Sequence, residues 1–167
     1  MERNRKLVFV AHPILNQNSM PVGKEKSPAA VKEVLEILAE SGVGIIQLPC
    51  PELEYFGIDR KPKTKEALDN KIFRALCKKY VLQTLSQIEA YMKKNYQIIG
   101  ILGLEFSPTY GVHQIENGSR NTPGKGVFIE ELEEEMRKKR FQVPIIGINM
   151  NNTFSSAEKL QSLVNNS

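Results

Sequence analysis

The chain has 167 residues and a formal net charge of +4, with 41% hydrophobic and 25% charged residues. That is the size and composition of one ordinary globular domain, and it excludes whole-chain disorder, a collagen-like repeat and a coiled coil. A sequence pI of about 9.0 is a mild excess of base, not the dense basic stripe of a nucleic-acid binder. No apolar run reaches the ~18–20 residues of a membrane-spanning helix. The five apolar residues Leu7 to Ala11 are fewer than the ~7–15 of a signal-peptide core. The expectation is therefore a single domain over residues 1–167, cytoplasmic, with neither nucleic acid nor membrane as partner.

Leu7 to Ala11 is a short continuous apolar run, as expected of a strand buried on both faces. After a polar loop from Asn16 to Lys26, Ser27-Pro28 offers a cap and a first-turn proline for a helix. Val31, Val34, Leu35 and Leu38 give that helix one apolar stripe, and Gly42 suits the left-handed residue that ends it. Gly44 to Leu48 reads as a second strand, stopped by Pro49-Cys50-Pro51, and a loop rich in Gly, Pro and Lys runs to about Lys63. Thr64 to Asn95 is helical in pattern, with Leu68, Ile72, Leu76, Leu82, Leu85, Ile88 and Met92 on one side. One straight helix of that length would measure about 48 Å, longer than a domain of this size is wide. A break near Asp69-Asn70 is therefore expected.

Gln97 to Leu104 is the best strand in the chain, followed by a long loop to Gly126. Residues 127–140 form a helix in which glutamates precede basic residues, as the helix dipole favours. Its charge run reads as a solvated face, with Glu133–Arg137, Glu134–Lys138 and Glu135–Lys139 pairs. Val143 to Ile148 is the last strand and Ser155 to Val164 the last helix. This alternation predicts an α/β, Rossmann-like three-layer αβα domain around a mostly parallel sheet of about four strands.

Ligands of such sheets bind at the carboxyl ends of the strands. Four segments leave those ends: His12 to Asn18, Pro49 to Glu52, Glu105 to Gly111, and Asn149 to Asn152. Cys50 is held between two prolines, which fixes its thiol direction and suits a nucleophile or a ligand as well as an inert half-buried thiol. Glu52 follows as a base or a hydrogen-bond acceptor for an N–H edge. His12 reads equally as a strand-end cap or as an acid–base group. Cys77 falls mid-helix, which suits core, and His113 reads as loop surface. Glu105 ends a strand close to the same pocket, although a strand-end carboxylate is more often solvated. Gly118 to Gly126 lacks the spacing and the Ser/Thr of a phosphate loop. Neither a dinucleotide fingerprint nor a nucleophile elbow is present.

His12-Pro13-Ile14-Leu15-Asn16-Gln17-Asn18, Leu48-Pro49-Cys50-Pro51-Glu52 with Tyr55 and Gly57, and Ser107-Pro108-Thr109-Tyr110-Gly111 together resemble the desulfidases related to thiouracil desulfurase, over roughly residues 5–150 and in matching order. The resemblance implies a single α/β domain. It also implies an activity that removes sulfur from a thiolated nucleobase, on a [4Fe-4S] cluster held by three cysteines with the fourth iron open to the substrate sulfur. Here the first of those cysteine positions is Pro13 and the third is Tyr110, so Cys50 alone remains as a metal-ligand position. Proline has no donor atom for a metal, and no bound cluster is expected. The resulting expectation is a cluster-less relative that binds a small heterocyclic molecule, such as a nucleobase. Cys50, Glu52 and Ser107 form its chemical centre, and His12, Asn16, Asn18, Thr109 and Tyr110 serve as ligand contacts. The alternative is an enzyme, a desulfidase or hydrolase, with Cys50 as nucleophile and Glu52 or His12 as base.

Overall fold

A computed structural model describes all residues, 1–167. Strands β1 (Lys6–Val10), β2 (Gly44–Gln47), β3 (Gln97–Leu104) and β6 (Ile145–Ile148) form one parallel sheet in the order β2-β1-β3-β6. β3 is buried along almost its whole length, which explains its unbroken apolar sequence. β2 is an edge strand, and Ile45 faces solvent there. Helices α2 (Lys32–Glu40) and α7 (Thr153–Asn165) pack together, and α5 (Lys71–Met92) packs with α6 (Val127–Lys139), giving helical layers on the two sides of the sheet. Short helices α1 (His12–Leu15), α3 (Pro51–Phe56) and α4 (Lys65–Leu68) lie between them. No helix is long and apolar enough to cross a membrane.

The expected break near Asp69-Asn70 separates α4 from α5, and the Asn70 side chain accepts from the Ile72 and Phe73 N–H groups to start α5. The buried stripe of α5 differs from the expected one. It runs through Phe73, Cys77, Val81, Thr84, Leu85 and Ile88, while Ile72, Leu82 and Met92 are exposed. Phe73, Cys77 and Val81, at the same helical spacing, carry the buried face in place of Ile72, Leu82 and Met92. α2 begins at Lys32 instead of Ser27. Residues 27–30 are captured by tertiary bonds: Gln17 N–H donates to the Ala29 carbonyl and Val31 N–H to the Ile14 carbonyl.

The long loop before α6 contains an unpredicted hairpin, β4 (Gln114–Asn117) and β5 (Arg120–Pro123). Its two-residue turn opens on Gly118 at φ +67°, which only glycine adopts cheaply. The α6 charges also pair differently. Glu134–Lys138 is present, but Glu133 binds Lys125 and Lys139 binds Glu89. Glu130 and Glu131 meet Arg74 on α5 at 2.9 Å. That face of α6 joins two helices and is not simply solvated.

Candidate functional site

In the order β2-β1-β3-β6 the chain reverses its direction of travel between β1 and β3, which makes their carboxyl ends the switch point where such folds bind ligands. A cavity of about 150 Å³ opens there. Its walls include Pro13 from α1, Leu104 at the end of β3, Phe106, Ser107 and Tyr110 from the segment after β3, and Met150 after β6. The backbone explains the placement. Pro13 lies in the first turn of α1, where its missing N–H costs nothing. Ser107 Oγ accepts from the N–H groups of Thr109 at 3.2 Å and Tyr110 at 3.0 Å, folding Ser-Pro-Thr-Tyr into a tight turn.

Pro51 to Phe56, expected as loop, form a helix. Proline at its start and Glu52 and Glu54 in its first turn were the available signals. Cys50 is the residue just before this helix, and it is buried. Gly57 ends the helix at φ +89°, and the chain then returns Arg60 to the cavity wall. Arg60 Nη2 lies 3.5 Å from Glu52 Oε2, with side-chain exposures of 3% and 10%. The guanidinium also donates to the carbonyls of Ser19 at 2.6 Å and Gly57 at 3.2 Å. Burial pushes the Glu52 carboxyl above the usual range, with Arg60 acting in the opposite direction. Nothing in the sequence marks Arg60 as interior, because it lies in an irregular loop with no periodicity.

His12 starts α1 behind the cavity wall. Burial, and secondarily Arg60, hold its imidazole below the usual value, and Nε2 is buried without a partner. Thr109 is fully buried beside Glu52, and its hydroxyl makes no well-formed hydrogen bond. Asn16 and Asn18 are not brought to the cavity. Asn16 Oδ1 accepts from the Asn18 backbone at 3.1 Å and from its side chain at 3.0 Å, so the two close their own 3-10 turn. Local Asx geometry outcompeted the crevice for these side chains. Glu105 lines the cavity, where it accepts from the N–H groups of His113 and Gln114 and sits 2.9 Å from His113 Nδ1, holding the base of the hairpin. His113 is exposed, as a loop surface residue should be. Cys77 is core within α5, and burial raises its thiol.

No family model matches the chain. The uncharacterised protein MJ0003 of Methanocaldococcus jannaschii is 41% identical to it over 136 residues, covering 81% of each. The chain belongs to the MJ0003 family. It also shares its fold with a solved [4Fe-4S]-dependent thiouracil desulfidase, TudS, at TM-score 0.55 and 20% identity, over 95% of this chain and 99% of that one.

The donors that this MJ0003 relative places around the cavity do not fit a [4Fe-4S] cluster. No three of its His, Cys, Asp or Glu side chains converge to hold a metal. Pro13 offers no donor. Tyr110 is fully buried, stacks at a tilt on Phe128, and donates its hydroxyl to the Pro49 carbonyl. Burial raises both the Tyr110 phenol and the Cys50 thiol beside it, so both favour their protonated, non-ligating forms. The tyrosine therefore works as a strut. Tyr110→Phe should cost about 1–2 kcal/mol in urea denaturation, because the Pro49 carbonyl loses its donor. An unchanged midpoint would show that the strut carries no load.

Proposed function

We propose that the protein binds a single-ring heterocycle of the pyrimidine nucleobase type in the switch-point cavity, as a binding or regulatory protein without a resident cluster. The observation that carries this reading is the cavity itself. About 150 Å³ at the joint of β1 and β3 matches the volume of an engineered cavity that takes up a benzene ring. Pro13, Leu104, Phe106 and Met150 offer flat or pliable apolar contact. Glu52 and Ser107 supply the few polar groups that orient a ring with N–H and C=O edges. The fold neighbour is a thiouracil desulfidase, which agrees with a ring of this size. A nucleophilic role for Cys50 gains no support, since burial keeps the thiol protonated near neutral pH and Tyr110 lies beside it.

Isothermal titration with uracil, 2-thiouracil and adenine tests the reading, run beside an assay for sulfide released from 2-thiouracil. Saturable one-to-one binding of the pyrimidines, weaker binding of adenine and no sulfide are expected. No heat with either pyrimidine at millimolar concentration would overturn the binding proposal. Stoichiometric sulfide release on repeated turnover would restore the enzymatic alternative.

A further inference from the structure

Nine large hydrophobic side chains of the chain are exposed, and five of them, Val22, Tyr55, Ile58, Ile72 and Leu82, belong to α3, the first half of α5 and the loops beside α3. None of the five lines the cavity. The fold sets them side by side. The Tyr55 ring stands edge-on to Phe73 with 5.8 Å between centroids, so α3 lies along the first turn of α5, where Ile72 is 68% exposed. Gly57 turns the chain at φ +89°, which sends Arg60 inward and leaves Ile58 at the surface, 64% exposed. Val22 N–H donates to the Arg60 carbonyl at 3.1 Å, and Val22 and Ile58 line one shallow groove. Contiguous apolar surface of this kind marks an interaction site more often than scattered single residues do.

α5 extends the surface. Ile72, Ala75, Lys79 and Leu82 follow at helical spacing and are all exposed, so they form a stripe on the side away from the buried one. Lys79 is the one charge in it, and its Nζ leans over the Tyr80 ring at 5.7 Å. A helix face meeting only water is normally polar and charged. The charges at the edge decide what can cover the face. Between Glu54 and Ile72 the exposed charged side chains are Glu54, Asp59 and Glu66 against Lys61, Lys63 and Lys71. None of them makes an ion pair within the chain, whereas the less exposed Lys65 and Asp69 beside them are paired with Glu130 and Arg74. The chain as a whole is at +4, yet this rim sums to zero. An anionic membrane surface or an acidic segment would call for a basic excess. Equal and unpaired charges of both signs around an apolar centre suit a surface that meets its own copy.

We infer that this face pairs with a second copy of the chain about a two-fold axis, with the α5 stripes crossing at the centre and Tyr55 and Ile58 beside the crossing. A two-fold axis sets the same patch against itself, so each protomer's glutamates and aspartate can answer the other's lysines. Tyr55 is the natural anchor. Its ring already packs edge-on against Phe56 at 4.6 Å and Phe73 at 5.8 Å, so it gives up little freedom on association, and tyrosines are enriched among the residues that carry binding energy. Ala75, between Ile72 and Leu82, keeps the middle of the stripe low enough for the two helices to approach. The inference stands on exposure, packing and charge at this face and is independent of what the cavity binds.

Sedimentation equilibrium of the full chain, from low micromolar to submillimolar concentration, tests it against the 18.9 kDa protomer. A reversible dimer is expected. Ile58→Asp/Ile72→Asp should weaken it at least ten-fold, and both side chains are exposed, so the fold does not depend on them. Phe154→Asp, which places the same charge on an exposed apolar residue of α7, should leave the dimer unchanged. Hydroxyl-radical footprinting of the wild type at the two ends of the concentration range needs no variant. Tyr55, Ile58, Ile72 and Leu82 should lose reactivity as the protein is concentrated, and Phe154 should not. A wild type that stays monomeric throughout, or that forms a higher oligomer, would overturn the proposal. So would a dimer that survives the double substitution, one broken by Phe154→Asp, or one whose protected residues lie on another face.

Discussion

Arg60→Ala is expected to destabilise the protein by about 3–5 kcal/mol near pH 8, and by clearly less near pH 5. The size follows from burial. Glu52 and Arg60 form a pair with 10% and 3% side-chain exposure, and removal of one partner strands the other charge out of water. The pH dependence follows from what the stranded partner can do. Burial already raises the Glu52 carboxyl above its ordinary value of 4.5 in spite of Arg60, so the folded protein holds that proton more tightly than the unfolded chain does. Stability from such a group is fully present below the unfolded value and is lost as pH rises through the folded one. Without Arg60 the main opposing influence is gone, and the loss on the alkaline side deepens. Urea denaturation at the two pH values measures the difference. Glu52→Gln/Arg60→Met should recover more than half of the pH 8 loss, since a neutral pair of similar volume leaves no charge stranded. Equal deficits at pH 5 and pH 8 would mean that Glu52 does not titrate against Arg60.

The same pair shows where the sequence is readable. The parallel sheet was legible because its buried strands are continuous apolar runs, as Gln97 to Leu104 shows, and because helical patterns separate them. That a site lies at the carboxyl ends of the strands follows from that alternation, whereas the switch point between β1 and β3 follows only from the strand order. Four of the side chains singled out in sequence, Cys50, Glu52, Thr109 and Tyr110, gather at one place because each leaves the same end of the sheet. Arg60 was not legible. Its burial depends on a carbonyl at Ser19 and a carboxylate at Glu52 that only the folded chain brings near. Asn16 and Asn18 lie off the cavity for a local reason, since the Asn16 side-chain oxygen closes an Asx turn with Asn18. The hairpin is not marked in the sequence although Gly118-Ser119 suits a two-residue turn, because Arg120 to Pro123 has none of the apolar alternation that marks a strand. Its strands are held instead by Phe106 pairing with Ile115 and by the Glu105 carboxylate.

Gly126→Ala should cost about 3–5 kcal/mol and abolish the proposed pyrimidine binding even where the protein stays folded. The backbone at Gly126, φ −72° and ψ 158°, is one that any residue adopts, so conformational freedom is not the reason. The reason is contact. An added Cβ would fall on the Thr109 carbonyl group and 2.6 Å from the Tyr110 nitrogen, and these are backbone atoms that cannot swing aside. The same approach lets α6 start without a side-chain cap. The N–H groups of Gly126, Val127 and Phe128 donate to the carbonyls of Gly111, Pro108 and Thr109 at 2.9–3.0 Å. Pushing the two segments apart combines overpacking of about 1–3 kcal/mol with weakened bonds worth about 1 kcal/mol each. It also displaces Ser107 and Tyr110 from the cavity wall. Gly57→Ala is the fitting comparison. Gly57 lies at φ +89° and ψ 173° with open space around the missing Cβ, so its substitution carries only the cost of a backbone region reserved for glycine, about 1–3 kcal/mol. Denaturation midpoints of the two variants, with uracil titrations below each midpoint, separate the cases. If Gly126→Ala proved no more costly than Gly57→Ala, the 107–111 turn would not be clamped by α6, and the cavity would lack the rigid wall that the proposed pyrimidine selectivity requires.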